Sequence, residues 1–202
     1  MLKNIRLVLV LLVMCGIAYP LLMTGVAQVI MPSKADGSLI KNKSGKIIGS
    51  KLIGQSFKDT GYFHGRVSSI EYDAAGSGTP NYAPSNEDLI KRTKEDLATF
   101  LKENPTVKQE EIPADLLTNS GSGLDPNISP QGAKIQVSRI AKERGVSEKS
   151  IYNLVEKYTE GRSLGVFGDP RVNVLKLNIA LDQLKYLGGQ YYVRTIPKKN
   201  PR

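Results

Sequence analysis

Residues 7–33 read L-V-L-V-L-L-V-M-C-G-I-A-Y-P-L-L-M-T-G-V-A-Q-V-I-M-P-S, without one charged side chain. This stretch decides the architecture, because about 20 predominantly apolar residues are enough for a helix to cross a bilayer. Only Tyr19, Thr24, Gln28 and Ser33 interrupt its apolar character with hydrogen-bonding groups. Pro20 lacks a backbone donor and is expected to kink the helix mid-span. A cleaved secretory signal carries an apolar region of about 7–15 residues. Here the run is longer and continues through Val29, Ile30 and Met31, so a retained anchor is expected rather than cleavage after Gly25-Val26-Ala27. Cys15 sits mid-run behind the bulky Met14, which suits a small apolar residue of the span better than a lipidation site.

Working outward, the expected organisation is a basic tail (1–6), a transmembrane helix (7–31), a linker (32–45), one soluble domain (46–193) and a basic tail (194–202). Residues beyond the span suit a single domain. The only cysteine is Cys15, so the soluble part has neither a disulfide framework nor a thiolate metal site. With Lys3 and Arg6 set aside, 26 of the 28 Lys and Arg lie beyond the span, against 19 Asp and Glu. These positive charges are dispersed, which reads as a solvated basic surface rather than a nucleic-acid footprint. Lys3 and Arg6 precede the span, and Lys34, Lys41, Lys43, Lys46 and Lys51 follow it. Positive-inside counting would put the domain in the cytoplasm, but long domains cross largely regardless of charge, and charge alone leaves the two sides even.

The soluble part reads as α+β, mainly helical with a few short strands. A strand is expected near Lys46–Ile53, and G-Y-F-H-G-R-V-S-S-I-E-Y (61–72) reads as strand or loop. Residues 73–84 are turn chemistry throughout. Four helices follow. The first starts at Ser85, with Asp88 as a capping-box partner, and ends at Pro105. The second starts at Ser129-Pro130 and closes at Gly145. The third runs from Ser147 to Gly161. The fourth starts near Asn173 and is apolar on most of its surface, as a core helix is. Tyr191, Tyr192 and Val193 suggest a last strand.

Chemistry-bearing motifs are few. Gly45-Lys46 lacks the upstream glycine and following hydroxyl of a Walker loop, and Lys58-Asp59-Thr60-Gly61 reverses the first two residues of a P-type phosphorylation loop. The lone His64 has no evident orienting partner, which favours a structural role. The loop T-N-S-G-S-G-L-D-P-N-I-S-P (118–130) has two readings. Its Ser120, Gly121, Ser122 and Gly123 amides could form a phosphate nest, with Asp125 opposing it. Alternatively, it is a tight loop that docks helices. Residues 136–158 fit a helix-turn-helix pattern, with Ala141, Gly145 and Ile151 at the buried and turn positions and Ser147, Glu148, Lys149 and Asn153 facing outward. This makes a membrane-tethered DNA-binding regulator the alternative function. Glu148 and Glu156 offset Lys149 and Lys157 and weigh against it.

Three segments, in order behind one N-terminal span, carry a family resemblance. They are G-Y-F-H-G-R-V-S-S (61–69) continued by A-P-S-N (83–86), P-A-D-L-L-T-N-S-G-S-G-L-D-P-N-I-S-P-Q-G-A-K-I-Q-V-S-R-I-A (113–141), and T-E-G-R-S-L-G-V-F-G-D-P-R-V-N-V-L-K-L-N-I-A-L-D (159–182). Together they resemble the C subunit of the Kdp potassium-transporting ATPase. Departures are Val67, where members carry Pro, Asn127, where a His is common, and residues 79–83. The resemblance implies a non-catalytic accessory subunit of an ATP-driven potassium importer. Implied partners are a channel-like potassium-translocating subunit, a P-type ATPase subunit, a small single-span subunit and membrane lipid, without nucleic acid. No tightly bound cofactor is implied, and ATP would be met only in a ternary complex with the ATPase subunit. Two roles are implied: raising the ATP affinity of the ATPase subunit, or capping the ion entrance from outside. The resemblance favours the outside. Candidate nucleotide or partner contacts are Ser120, Gly121, Ser122, Gly123 and Asp125. Candidate partner contacts are Arg66, Ser68, Asn86, Glu160, Arg162, Arg171 and Asn173, with Asp125 expected to pair with Arg171 or Arg162.

Overall fold

The computed structural model describes residues 1–42 and 44–184. The strand expected at Tyr191–Val193 lies outside them. The chain divides into two compact units, one ending at Leu52 and the other beginning at Ile53.

The first unit opens with a continuous helix, Leu2–Ile30, long and apolar enough to cross a membrane. At 1.5 Å per residue it spans about 43 Å, against a hydrocarbon core of about 30 Å. It begins at Leu2, so Lys3 and Arg6 belong to its first turns rather than to a separate tail. Within it, α1 (Leu2–Val13) and α2 (Tyr19–Ile30) are joined by a π turn over Met14–Ala18. The π turn lies immediately ahead of Pro20, whose ring would press on the Gly16 carbonyl in a regular α ladder. The Tyr19 N–H reaches back to the Met14 carbonyl instead. A short α3 (Pro32–Ala35) follows, then β1 (Leu39–Lys41) and β2 (Ile47–Ser50), an antiparallel hairpin pairing Leu39 with Ser50. The segment expected as a linker thus holds a helical turn and a strand. Asn42 makes the hairpin turn: its Oδ1 accepts from the Ser44 and Lys46 N–H groups.

The second unit begins with irregular chain from Ile53 to Asn86. The helix α4 (Glu87–Glu103) is capped by Asn86, whose Oδ1 accepts from the Leu89 N–H at 3.0 Å; the expected cap Ser85 lies one residue early. Two 3₁₀ turns, Gln109–Glu111 and Ala114–Leu116, lead to β3 (Asn127–Ile128). The expected second helix is two: α5 (Pro130–Lys134), capped by Ser129, and α6 (Val137–Arg144), which ends at Gly145 with φ +63. The break falls at Ile135–Gln136. The helix α7 (Glu148–Tyr158) starts at its Ser147 cap but ends at Thr159, before Gly161, because the chain enters β4 (Thr159–Glu160). A hairpin returns it as β5 (Arg171–Asn173), followed by α8 (Val174–Asp182), whose cap is Asn173. The strands form an antiparallel sheet in the order β3-β5-β4. Two- and three-residue strands give no alternating pattern to read, so the sequence shows them only as turns. The α+β class holds.

The core joins α5–α8 to this sheet through Ile128, Val137, Ile140, Ile151, Val155, Val172, Leu177 and Leu181. Phe63, in the irregular segment, is fully buried among them. Its segment is not a strand, because its backbone partners are side chains. The Phe63 N–H donates to Asn178 Oδ1 (2.9 Å), and its carbonyl accepts from Asn178 Nδ2 (3.0 Å). One residue on, the His64 N–H donates to Gln136 Oε1 (2.8 Å), and its carbonyl accepts from Gln136 Nε2 (3.2 Å). A primary amide offers one donor side and one acceptor side, like a peptide group. Asn178 on α8 and Gln136 at the helix break therefore stand in for a neighbouring strand.

Candidate functional site

The 61–69 segment delivers Arg66 and Ser68 to the 118–127 loop. Arg139, largely buried, holds the segment's start: its guanidinium donates to the Thr60 carbonyl, the Tyr62 carbonyl (3.0 Å), Asn104 Oδ1 (3.0 Å) and Gln136 Oε1 (2.8 Å). Burial draws Arg139 down to about 10, with Glu103, Glu143 and Asp59 pulling the other way, so it stays charged at neutral pH. His64 Nδ1 lies 3.3 Å from Glu103 Oε2, and Nε2 lies 3.1 Å from the Asp59 carbonyl. Both neighbours favour a charged ring. Burial and then the Arg139 charge outweigh them and hold His64 below its ordinary range. Its place in this packing gives it a structural role.

At the far end of the segment, Arg66 donates to Asp125 Oδ2 (3.2 Å) and to the Asn119 carbonyl (3.1 Å). Ser68 donates to the Gly123 carbonyl (2.7 Å) and accepts from the Tyr72 N–H (2.9 Å). The Tyr72 hydroxyl donates to the Arg66 carbonyl. Burial, and then the Asp125 charge, push that phenol up to about 12, so it remains a donor. The loop is also tied from outside by the Gly54 N–H on the Leu124 carbonyl (2.7 Å) and the Gly78 N–H on the Ser122 carbonyl (2.9 Å).

Within the loop, the polar groups turn inward. The Gly123 N–H donates to the Ser120 carbonyl (3.2 Å), the Leu124 N–H to Ser122 Oγ (3.1 Å) and the Asp125 N–H to Ser120 Oγ (3.4 Å). Asp125 Oδ1 accepts from the Asn127 N–H (2.9 Å) and Nδ2 (3.1 Å). Asn127 is thus a loop-closing amide. Gly123 is required twice over: φ is +68, and a Cβ there would meet Ile70 Cγ1 at 2.8 Å and the Gly78 carbonyl oxygen at 2.9 Å. Gly121, by contrast, faces open space.

The structure therefore gathers Ser120, Gly121, Ser122, Gly123, Asp125, Arg66 and Ser68 into one site and leaves the other candidates elsewhere. Asn86 is occupied as the α4 cap. Asn173 is buried, caps α8 and pairs with Asn127 across β3–β5. Glu160 joins β4 to α8 and β5 through Lys176 Nζ (2.8 Å) and Arg171 Nε (3.5 Å). Arg162 pairs with Asp169 (3.3 Å) across the β4–β5 hairpin. The expected Asp125 pair with Arg171 or Arg162 does not form. Asp125 takes Arg66, and the two shaped segments meet through main-chain pairing of β3 with β5.

Sequence reasoning missed Gln136, Arg139, Asn178, Asn104 and Asp115. Asp115 accepts from the Ser129 N–H (2.6 Å) and hydroxyl (3.0 Å), fixing the α5 cap. The available signal was a polar side chain interrupting an apolar helical stripe, as Gln136 and Arg139 do among Ala133, Val137 and Ile140.

The family model described as KdpC: K+-transporting ATPase, c chain, matches residues 1–183. The chain belongs to the KdpC family. It is 56% identical over 180 residues to the potassium-transporting ATPase KdpC subunit of Bacillus cereus, covering 89% of this chain and 93% of that one. It is 54% identical to the same subunit of Bacillus anthracis, with the same coverage of both chains. As a KdpC-family chain, it is an accessory subunit of a membrane-associated potassium-transport complex. The helix-turn-helix pattern is present as the α6–α7 pair joined at Gly145, packed by Ile140, Ala141, Ile151 and Val155. Family membership sets the DNA-regulator reading aside.

Proposed function

We propose that this chain is a non-catalytic subunit that stabilises the assembled potassium pump from outside the cytoplasm, at the ion entrance of the channel-like subunit. The observation that carries this reading is the closed 118–127 loop. Successive amides at Gly123, Leu124 and Asp125, which a phosphate nest would need to aim at its ligand, are bonded to Ser120 and Ser122. The Asp125 carboxylate is anchored by Arg66 at the same place. The loop supports a shape-defining role. Any effect on ATP affinity would be exerted through the ATPase subunit in a ternary arrangement, not by phosphates held here. Expected partners are the channel-like, P-type ATPase and small single-span subunits, with the apolar helix in lipid.

The test has two parts. After mild detergent extraction of native membranes under potassium limitation, the chain should co-migrate with large membrane subunits. Protease added to intact spheroplasts should digest the region beyond Leu52. A chain that runs alone contradicts the assembly role, and protection from external protease contradicts the outside placement.

A further inference from the structure

Between β4 and β5 the chain makes an excursion, G-R-S-L-G-V-F-G-D-P (161–170), in which every residue is exposed. Its tip is apolar: Leu164 is 91% exposed, Val166 70% and Phe167 66%. The tip is nevertheless shaped. The Ser163 N–H donates to the Phe167 carbonyl (2.8 Å), and the Phe167 N–H donates back to Ser163 (2.9 Å). The Gly165 N–H bonds to Arg162 and the Val166 N–H to Ser163. Leu164 holds φ +54, a region a branched apolar side chain adopts at a cost. A strained leucine presented to water, where Gly or Asn would fold more easily, points to a use for the side chain itself.

We infer that this hairpin is a docking finger whose Leu164, Val166 and Phe167 seat in an uncharged, apolar cleft on a membrane-embedded subunit of the same complex. The inference rests on the assembly reading above and names the surface that would carry it. Charge argues for a protein cleft over a lipid surface. A segment held at anionic headgroups needs unneutralised cations beside its apolar residues. Here the only charged residues of 161–170, Arg162 and Asp169, pair with each other, so the finger itself carries no net charge. Rigidity argues the same way: an aromatic anchor fixed before association loses little freedom on binding and fills a pocket as interface hot spots do.

The experiment uses the full complex. A photo-crosslinking residue is introduced as Val166→benzoylphenylalanine. In parallel, Leu164→Asp with Phe167→Asp is made in the full chain. The crosslink should join this chain to a membrane-embedded subunit, and the double variant should leave the complex on the order of tenfold faster or more on dilution in detergent. The melting temperature of the isolated full chain should not fall, since both side chains are exposed and Asp tolerates the left-handed backbone at 164 better than Leu. A crosslink to lipid, to a second copy of this chain or to nothing overturns the inference. The unmodified chain serves as the control. If it co-purifies while the Val166→benzoylphenylalanine chain crosslinks to no subunit, the finger is wrong and the assembly role stands. If it does not co-purify, the assembly role itself has failed.

Discussion

The two glycine-rich segments of the second unit, 118–127 and 161–170, look alike in sequence and share positive-φ glycines, but differ in burial and in what ties them down. In the first, Gly123 and Leu124 are buried, the hydroxyls accept internal amides, and Arg66, Ser68, Gly54 and Gly78 tie the loop from four directions. In the second, the side chains are exposed, and backbone hydrogen bonds hold the turn with one exposed ion pair, Arg162–Asp169. Glycine and serine content therefore says that a loop has shape, but not whether the shape faces inward or outward. The apolar residues decide that. Leu124 goes into the protein, while Leu164, Val166 and Phe167 do not.

The sharpest way to break this contrast is to put the same methyl group into both loops. Gly123→Ala meets a positive φ together with contacts at 2.8 and 2.9 Å, and should cost about 3 kcal/mol or more. Gly165→Ala meets a positive φ of +77 with nothing within 4 Å, and should cost only about 1 kcal/mol. Thermal unfolding of the full chain in detergent measures both, and equal losses would remove the distinction.

The Arg66–Asp125 pair gives a comparable or smaller effect. Its side chains are 22% and 31% exposed, so solvent weakens the pair, but Arg66 also holds the Asn119 carbonyl. Arg66→Ala and Asp125→Ala, singly and together, should show a coupling of about 1 kcal/mol. The cycle Arg162→Ala with Asp169→Ala, on a pair 53% and 90% exposed, should show a coupling near zero.

Legibility in the sequence divides along the same line. The apolar helix was plain from residues 7–33, and the α5, α7 and α8 starts from Ser129, Ser147 and Asn173, because caps and periodicity are local signals. Hidden were the short β3–β5 sheet and the split at Gln136. Hidden too was the way Asn178 and Gln136 take the place of a strand beside Phe63–His64. These depend on partners 72 and 115 residues away in the chain. The gathering of Arg66 and Ser68 at the 118–127 loop could be expected only as a set of family motifs, whereas the Arg66–Asp125 contact needed the fold.

The smallest effect is one of pH. His64 is held below its ordinary value of 6.5, first by burial and then by the Arg139 charge. The unfolded chain therefore takes up a proton near pH 6.5 that the folded chain refuses, and stability should fall as pH drops below that point. In His64→Gln this part of the slope should disappear. The 118–127 loop, tied to the same segment through Arg66, should loosen with it, and the 161–170 hairpin should not.

Amide hydrogen exchange on the full chain, alone in detergent and within the purified complex, tests the contrast most directly. Gly123, Leu124 and Asp125 should exchange slowly in both states, while amides of residues 162–168 should gain further protection on assembly. Rapid exchange at 123–125 in the free chain that slows on assembly, with 162–168 unchanged, would contradict that contrast.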